Sequence, residues 1–405
     1  MTEFVAEDLI LIRGRGRVSA LGLVPAPAAA PTSPFSAHTA GLPVAALPTA
    51  AEAAVTQLRR QVPAYRQLDR TVLLGLLAAR QATAAAGWHS GSAAALHHPL
   101  AVSMGSSRGA TQRLEEFHAE FLAEGSVSAA ASPLTTLGNV ASWVAFDAGS
   151  TDGATLSHSS TCSSAFQALG NAMAWLRAGM ATRFLAGGTE APLTGFTLAQ
   201  MRAIGIYSPY AAAQWPCRPG AGRPSTFVLG EGAAVFALEK VSRARAAAEP
   251  TTEPLFVLEN VGFGFEAIGS KTGLSPDGQH FQQAIRQALA QARVSSADID
   301  AVVLHSPGTP AGDAAERAAL RAVFGELLPP LLSNKWLIGH TLGASAALSL
   351  DFALHVLATQ QWPAPPFATD LAAAVAHPIR RILVNAAGFG GNAASALVSR
   401  LEVPA

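Results

Sequence analysis

Three side chains could together carry nucleophilic and acid–base chemistry: Cys162, His305 and His340. Cys162 follows a short strand candidate, Leu156 to Thr161, and opens a strongly helical segment in which Phe166, Leu169, Met173 and Leu176 share one stripe. A helix N-terminus offers unpaired N–H groups and a positive dipole end, both of which favour a thiolate. Ser163 and Ser164 are small, and Gly187-Gly188 leaves room nearby. A lone cysteine is more often a small buried hydrophobe, and most of the eleven histidines need no chemical role. His305 and His340 differ because each stands beside a glycine-containing turn that can aim a side chain into a pocket. His305 ends a buried strand and opens Ser306-Pro307-Gly308-Thr309-Pro310. His340 lies in Asn334-Lys335-Trp336-Leu337-Ile338-Gly339-His340-Thr341.

The elements that position these residues alternate between strand and helix. Strands are expected at Leu9–Ile12, 100–110 (running into a loop), Phe184–Ala186, Leu255–Val261, Ala301–Leu304, Arg381–Ala386 and Ala394–Leu401. Helices are expected over Gln57–Ala85, Asp277–Ala292 and Thr341–Leu357, a Gly-rich turn at Gly14 and Gly16, and a long Pro/Ala-rich loop over 24–49. This order implies an α/β fold with central sheets covered by helices.

Composition narrows the function classes. The chain has 405 residues, half of them hydrophobic, with 27 basic and 27 acidic side chains. That balance points to no nucleic-acid partner. The two cysteines, Cys162 and Cys217, form neither a disulfide framework nor a zinc spacing, which fits a reducing cytoplasm. Glu3, Glu7 and Asp8 precede the first apolar run, the wrong order for a secretory signal. The apolar stretch Leu337–Leu357 is interrupted by His340, Asp351 and His355, so no membrane span is expected. Lysine occurs only at 240, 271 and 335. Its retention inside the second histidine motif suggests that the ammonium itself is wanted there.

Taken in order, Thr161-Cys162-Ser163-Ser164, Ala186-Gly187-Gly188-Thr189-Glu190, Phe227-Val228-Leu229-Gly230-Glu231-Gly232, the two histidine motifs and Gly388-Phe389-Gly390-Gly391 resemble the elongating β-ketoacyl-[acyl carrier protein] synthases of type II fatty acid and polyketide synthesis. The resemblance covers nearly the whole chain at the family's spacing. It implies a thiolase-like, duplicated α/β/α/β/α fold, with residues 1–250 as the half carrying the cysteine and 251–405 as the half carrying the histidines. It also implies acyl transfer from a carrier-protein thioester to Cys162, then decarboxylative attack of a malonyl thioester. The backbone N–H groups of Cys162 and Phe389 would form the oxyanion hole. His305 and His340 would donate hydrogen bonds to the enolate, Lys335 and Glu316 would form an ordering ion pair, and Phe389 would gate the acyl chain. Thr309 and Gly390 would contact the substrate. No cofactor is implied, since substrates ride on the phosphopantetheine of an acyl carrier protein. The implied assembly is a homodimer or a pair with a chain-length-factor paralogue.

Two positions depart from the family pattern. Ser306-Pro307 stands where the family has Gly-Thr, leaving only Thr309 to contact the pantetheine arm, and Gly220-Ala221 stands where it has Phe-Asp, removing the usual brace of that loop. Arg59, Arg60, Arg66 and Arg70 on the first long helix read either as a solvated face or as a patch steering an acidic carrier protein. Other readings fit less well. A thiolase needs a second catalytic cysteine near the C-terminus, and a coenzyme A-priming synthase pairs Cys with His and Asn. A non-catalytic chain-length-factor-like subunit has lost the cysteine, and a papain-like protease has a different signature around its cysteine.

Overall fold

The computed structural model describes residues 8–88, 99–137, 139–249, 254–267 and 274–401; Glu3, Glu7 and Lys271 lie outside them. The strands are β1 (Asp8–Val18), β2 (Ser36–Ala37), β3 (Pro43–Val44), β4 (Leu100–Gly105), β5 (Thr155–His158), β6 (Arg183–Glu190), β7 (Gly232–Ser242), β8 (Phe256–Phe265), β9 (Ala301–Val303), β10 (Leu331–Leu332), β11 (Arg381–Gly388) and β12 (Asn392–Arg400). Apart from the β2–β3 ladder they form one sheet, ordered β10-β9-β11-β12-β8-β1-β7-β6-β4-β5. The order is a duplication. On one side β4 pairs parallel with β5 and β6, and β7 pairs antiparallel with β6 and β1. On the other, β9 pairs parallel with β10 and β11, and β12 pairs antiparallel with β11 and β8. The antiparallel β1–β8 contact joins the two sides.

Strand alternation shows why helices must cover both faces. In β7, Ala234, Phe236 and Leu238 face one core while Ala233, Val235 and Ala237 face another. The Ser164–Arg177 and Ser345–Thr359 helices touch each other and strands from both sides of the duplication, forming the middle layer. The Arg70–Ala85 helix covers β1, β6 and β7 outside, and the Gln279–Ala292 helix covers β8 and β12. The fold is the thiolase-like α/β arrangement expected. The segment Leu342–Thr359 is apolar and long enough to cross a membrane by composition, and 83% of it is buried inside the protein.

Three local expectations change. Gly14 and Gly16 make no turn: they lie within β1, where a Cβ would overlap the carbonyl oxygens of Ala82 and Ala78. Glycine there lets the helix backbone approach the strand. The periodicity over Gln57–Ala85 is two helices, Thr49–Gln61 and Arg70–Ala85, separated by a 3₁₀ turn that starts at Pro63. Pro63 lacks the N–H a continuing helix needs, and Asp69 restarts it by accepting from Thr71 N–H at 2.7 Å. The helix expected from Cys162 begins at Ser164, with the cysteine in the turn before it.

The glycine contacts lead to a stability prediction. Gly16→Ala should destabilise by about 3 kcal/mol, since the backbone on both sides must move. Gly195→Ala, where a Cβ meets open space, should stay within about 0.5 kcal/mol of the parent. Chemical denaturation of the two variants checks both values.

Candidate active site

The turn that presents Cys162 is strained and held by hydroxyls. Thr161 adopts φ +50°, in the left-handed region that a β-branched residue avoids. Ser164 Oγ donates to Thr161 O at 2.5 Å and accepts from Ser160 N–H at 2.9 Å, while Ser163 Oγ donates to Ser160 O at 2.8 Å. These side-chain bonds reinforce the turn's own backbone bonds, from Ser163 N–H to Ser160 O at 3.1 Å and from Ser164 N–H to Thr161 O at 3.2 Å, a role the serines' small size alone did not reveal. Gly188 admits the helix start, since a Cβ there would lie 2.6 Å from Ala165 Cβ and 2.9 Å from Gly343 O. Gly187 instead accommodates β7.

His305 follows β9. Its N–H donates to Glu316 Oε1 at 2.8 Å, and the N–H and hydroxyl of Ser306 donate to Glu316 Oε2 at 2.8 and 2.7 Å. Asn385 Nδ2 on β11 adds a fourth bond at 3.1 Å. His340 is pinned through its backbone: its N–H donates to Val228 O at 2.7 Å, and its carbonyl accepts from Gly230 N–H at 3.1 Å. The two imidazoles meet edge to face, with centroids 5.3 Å apart. Phe227 lies 5.4 Å from the His340 ring and belongs to the same apolar cluster as Cys162, which brings the three residues to one place.

Lys335 is buried beside all three. Its Nζ donates to Leu304 O at 3.4 Å, on the residue before His305. Contrary to expectation, it makes no direct ion pair with Glu316, whose oxygens are occupied by the four donors around His305 and Asn385. The two charges act across the site: burial pulls Lys335 down to about 8, opposed first by the Glu316 charge and then by Cys217, Cys162 and Asp313. Burial and the Lys335 charge hold both His305 and His340 well below the usual histidine value of 6.5. Both rings are neutral and able to donate a hydrogen bond. Burial, then Glu190, pushes the Cys162 thiol up to about 12, with Lys335 and Arg108 acting the other way. The resting thiol is therefore protonated, where helix-terminus reasoning alone had pointed to a thiolate.

Glu190 received no role from the sequence beyond its place in the Gly-Gly-Thr-Glu motif. Wholly buried, it accepts from Ser107 N–H at 2.6 Å, Arg108 N–H at 3.1 Å, Gly343 N–H at 2.9 Å and Ser106 Oγ at 3.0 Å. It thus ties the loop after β4 to the loop after His340. Burial raises it to about 7 despite these bonds. The signal was a carboxylate at the end of a strand with no exposed side.

The two departures from the family pattern compensate one another. Ser306 Oγ also accepts from Arg317 Nη1, and Arg317 forms a two-pronged pair with Asp370 at 2.8 Å on each prong. A Cβ on Gly220 (φ +75°) would overlap Asp370, so this glycine makes the pair possible. Asp313 accepts from Gly220 N–H at 2.8 Å and from Gly308 N–H at 3.1 Å. The loop is braced by Asp313 and by the Thr369 hydroxyl, which donates to Pro219 O at 2.7 Å, rather than by an aspartate of its own. Thr309, half-buried, precedes the Pro310–Phe324 helix.

Phe389 is 42% exposed on the β11–β12 turn, which excludes ordinary core packing. Gly390 is exposed beside it at φ +87°. A Cβ on Gly388 would lie 3.0 Å from Cys162 N, so the turn's backbone runs directly against the cysteine. The four arginines do not share one helix. Arg59 and Arg60 end the Thr49–Gln61 helix, Arg66 lies in the 3₁₀ turn, and Arg70 starts the next helix. Arg60 and Arg66 are exposed. Arg70 is bound to Glu231 at 2.6 Å and to Glu52, so it offers no free charge to a partner.

Comparison with known proteins gives the family. The sequence matches the profiles described as "Beta-ketoacyl synthase, N-terminal domain" over residues 36–244 and "Beta-ketoacyl synthase, C-terminal domain" over residues 255–366. The chain belongs to the β-ketoacyl synthase family and is an acyltransferase of that class. It is 31% identical over 361 residues to a putative polyketide beta-ketoacyl synthase 1 of Streptomyces cyaneus, covering 82% of each chain. It is 31% identical over 369 residues to the tetracenomycin polyketide synthase ketoacyl synthase alpha subunit of Streptomyces glaucescens, covering 84% of this chain and 83% of the relative. Against 3-oxoacyl-[acyl-carrier-protein] synthase 2 of Staphylococcus aureus the identity is 27% over 354 residues, 83% of each chain. Among solved structures, the ishigamide ketosynthase/chain length factor superposes with TM-score 0.83 at 20% identity, covering 98% of this chain and all of that one. A beta-ketoacyl synthase from Burkholderia phymatum gives 0.79 at 25% identity, with 98% and 100% covered.

The charge arrangement sets a pH dependence. A lysine is charged below its pKa, so the positive charge beside the imidazoles is present below about 8 and lost above it. Decarboxylation of a malonyl thioester by the Cys162→Ala protein should show no step near 6.5, because both rings are already neutral, and should fall as pH rises through about 8. Lys335→Met should lower the rate below pH 8 and remove that step. A pH–rate profile of CO2 release measures both.

Proposed function

We propose that this chain condenses an acyl group with a malonyl unit, using Cys162 as nucleophile and His305 and His340 as the decarboxylating pair. The observation that carries the reading is the convergence of one presented thiol and two neutral imidazoles around a single buried ammonium. In the first half-reaction, Cys162 Sγ attacks the acyl thioester as its proton passes through a neutral imidazole to the departing pantetheine thiol. The N–H groups of Cys162 and Phe389 hold the tetrahedral oxyanion, a role supported by the approach of the Gly388 backbone to Cys162 N.

In the second, the malonyl carboxylate leaves as CO2 and its bonding electrons form an enolate. The oxygen of that enolate accepts hydrogen bonds from His305 and His340. Its carbon attacks the Cys162 thioester, and collapse of the adduct expels the Cys162 thiolate and releases a chain two carbons longer. Donors aimed at such an oxyanion are each worth about 3 kcal/mol of barrier. Lys335 and Glu316 position the pair, Thr309 and Gly390 contact the substrate arm, and Phe389 moves to admit the acyl chain.

The substrates ride on an acyl carrier protein, for which Arg60 and Arg66 are the exposed cations of the arginine group. The relatives named as polyketide synthase subunits favour a polyketide-type pathway. The working assembly is a cytoplasmic dimer, either of two copies or with a chain-length-factor paralogue. The solved ketosynthase/chain length factor pair favours the second.

Intact mass spectrometry after mixing with acyl-loaded carrier protein tests the reading. Wild type should gain one acyl group and Cys162→Ala none, and adding malonyl carrier protein should discharge the acyl enzyme. An acyl group on both proteins, or on neither with or without the paralogue, would overturn it.

A further inference from the structure

Behind His305 lies a polar pair, His280 buried and Glu266 half-buried, that the chemistry above does not use. His280, in the first turn of the Gln279–Ala292 helix, is wholly buried, and its Nδ1 lies 3.1 Å from Glu266 Oε2. The same oxygen accepts from Ser275 Oγ at 2.7 Å. Among the described residues, His280 Nε2 is buried with no hydrogen-bond partner. An imidazole with an orphan nitrogen next to a carboxylate costs stability that an apolar pair would not, so the position calls for a role.

The pair sits between two parts of the site. On one side, Glu266 N–H donates to Gly391 O at 2.9 Å. The Glu266 carbonyl also fills the space that a side chain on Gly391 (φ +79°) would need. Gly391 closes the turn that carries Phe389. On the other side, the His280 ring lies against Phe281 at 4.7 Å between centroids, and Phe281 faces His305 at 6.2 Å. Gly264 on β8 lets this helix end seat closely, since a Cβ there would overlap His280 O. A continuous run of contacts therefore joins the Phe389 turn to His305 through Glu266, His280 and Phe281.

We infer that the Glu266–His280 pair is a latch that registers the Phe389 turn against His305, so that the enolate forms only when the turn is closed over it. Neither residue touches the reacting atoms; both are positioning residues, and the inference rests on the roles proposed for Phe389 and His305. Closing the turn excludes water and holds the enolate against the Cys162 thioester.

The test uses the full chain with hexanoyl and malonyl pantetheine thioesters, measuring Cys162 acylation, CO2 release and condensed product separately. In His280→Phe, which keeps the ring packing but loses the bond to Glu266, acylation should stay within about twofold of the parent, while product formed per CO2 released should fall about tenfold. Glu266→Gln, which retains the shape and loses the charge, should shift that ratio in the same direction and serves if the first variant does not fold. A merely structural role would lower all three rates together and leave the ratio unchanged. An unchanged ratio in the folded variants overturns the latch. Failure of wild type to acylate Cys162 at all would instead sink the condensing reading, and the latch with it.

Discussion

Glu316 and Lys335 are opposite charges buried in the middle of the protein without touching each other. Burying either is costly unless it is compensated, and the way each is compensated sets the geometry around it. Glu316 is satisfied by the N–H groups of His305 and Ser306, the Ser306 hydroxyl and the Asn385 amide, so the strand end that carries the first histidine cannot shift without stranding a carboxylate. Lys335 has one long bond to Leu304 O, and its charge is spent on the field instead. Burial first, and then that field, holds two histidines well below their usual value, and the field offsets part of the burial that protonates the cysteine. The same field that favours donation by the imidazoles also favours a Cys162 thiolate, so one cation would serve both proposed half-reactions.

Cys162, the proposed nucleophile, is positioned by strain rather than by a helix cap. Thr161 is forced into the left-handed region, and the three serines around it supply the bonds that keep it there. Such a turn is stable only where its surroundings over-determine it. Gly105, Gly188 and Gly388 provide that by letting backbone approach from three sides. Glu190 extends the same rigidity outward, joining the loop after β4 to the loop after His340 through four hydrogen bonds to one buried carboxylate.

Much of this was legible in the sequence because the motifs are local. Cys162-Ser163-Ser164, the two histidine motifs and Gly388-Phe389-Gly390-Gly391 each fall on one turn, and strand–helix alternation gave the layers. What could not be read depends on contacts between distant segments. Gly14 and Gly16 looked like a turn because glycine usually marks one, whereas a helix some sixty residues away required them. Glu316 was expected to pair with Lys335 because the family resemblance implies that pair, yet two backbone and two side-chain donors from distant segments occupy its oxygens. The missing loop aspartate looked like a weakness until Arg317, Asp313 and Asp370 were seen to close around Gly220. The arginines at 59, 60, 66 and 70 looked like one face because the break at Pro63 was not recognised.

The central claim is that burial beside one ammonium keeps both imidazoles of the proposed decarboxylating pair neutral. The most direct measurement is a pH titration of 15N-histidine shifts in the intact protein, with His305→Gln and His340→Gln spectra to assign the two rings. The account predicts that both resonances remain those of a neutral ring through the ordinary histidine midpoint of 6.5. A midpoint at or above 6.5 for either ring would mean that it is charged when the enolate forms, and the arrangement described here would not be the one that stabilises it.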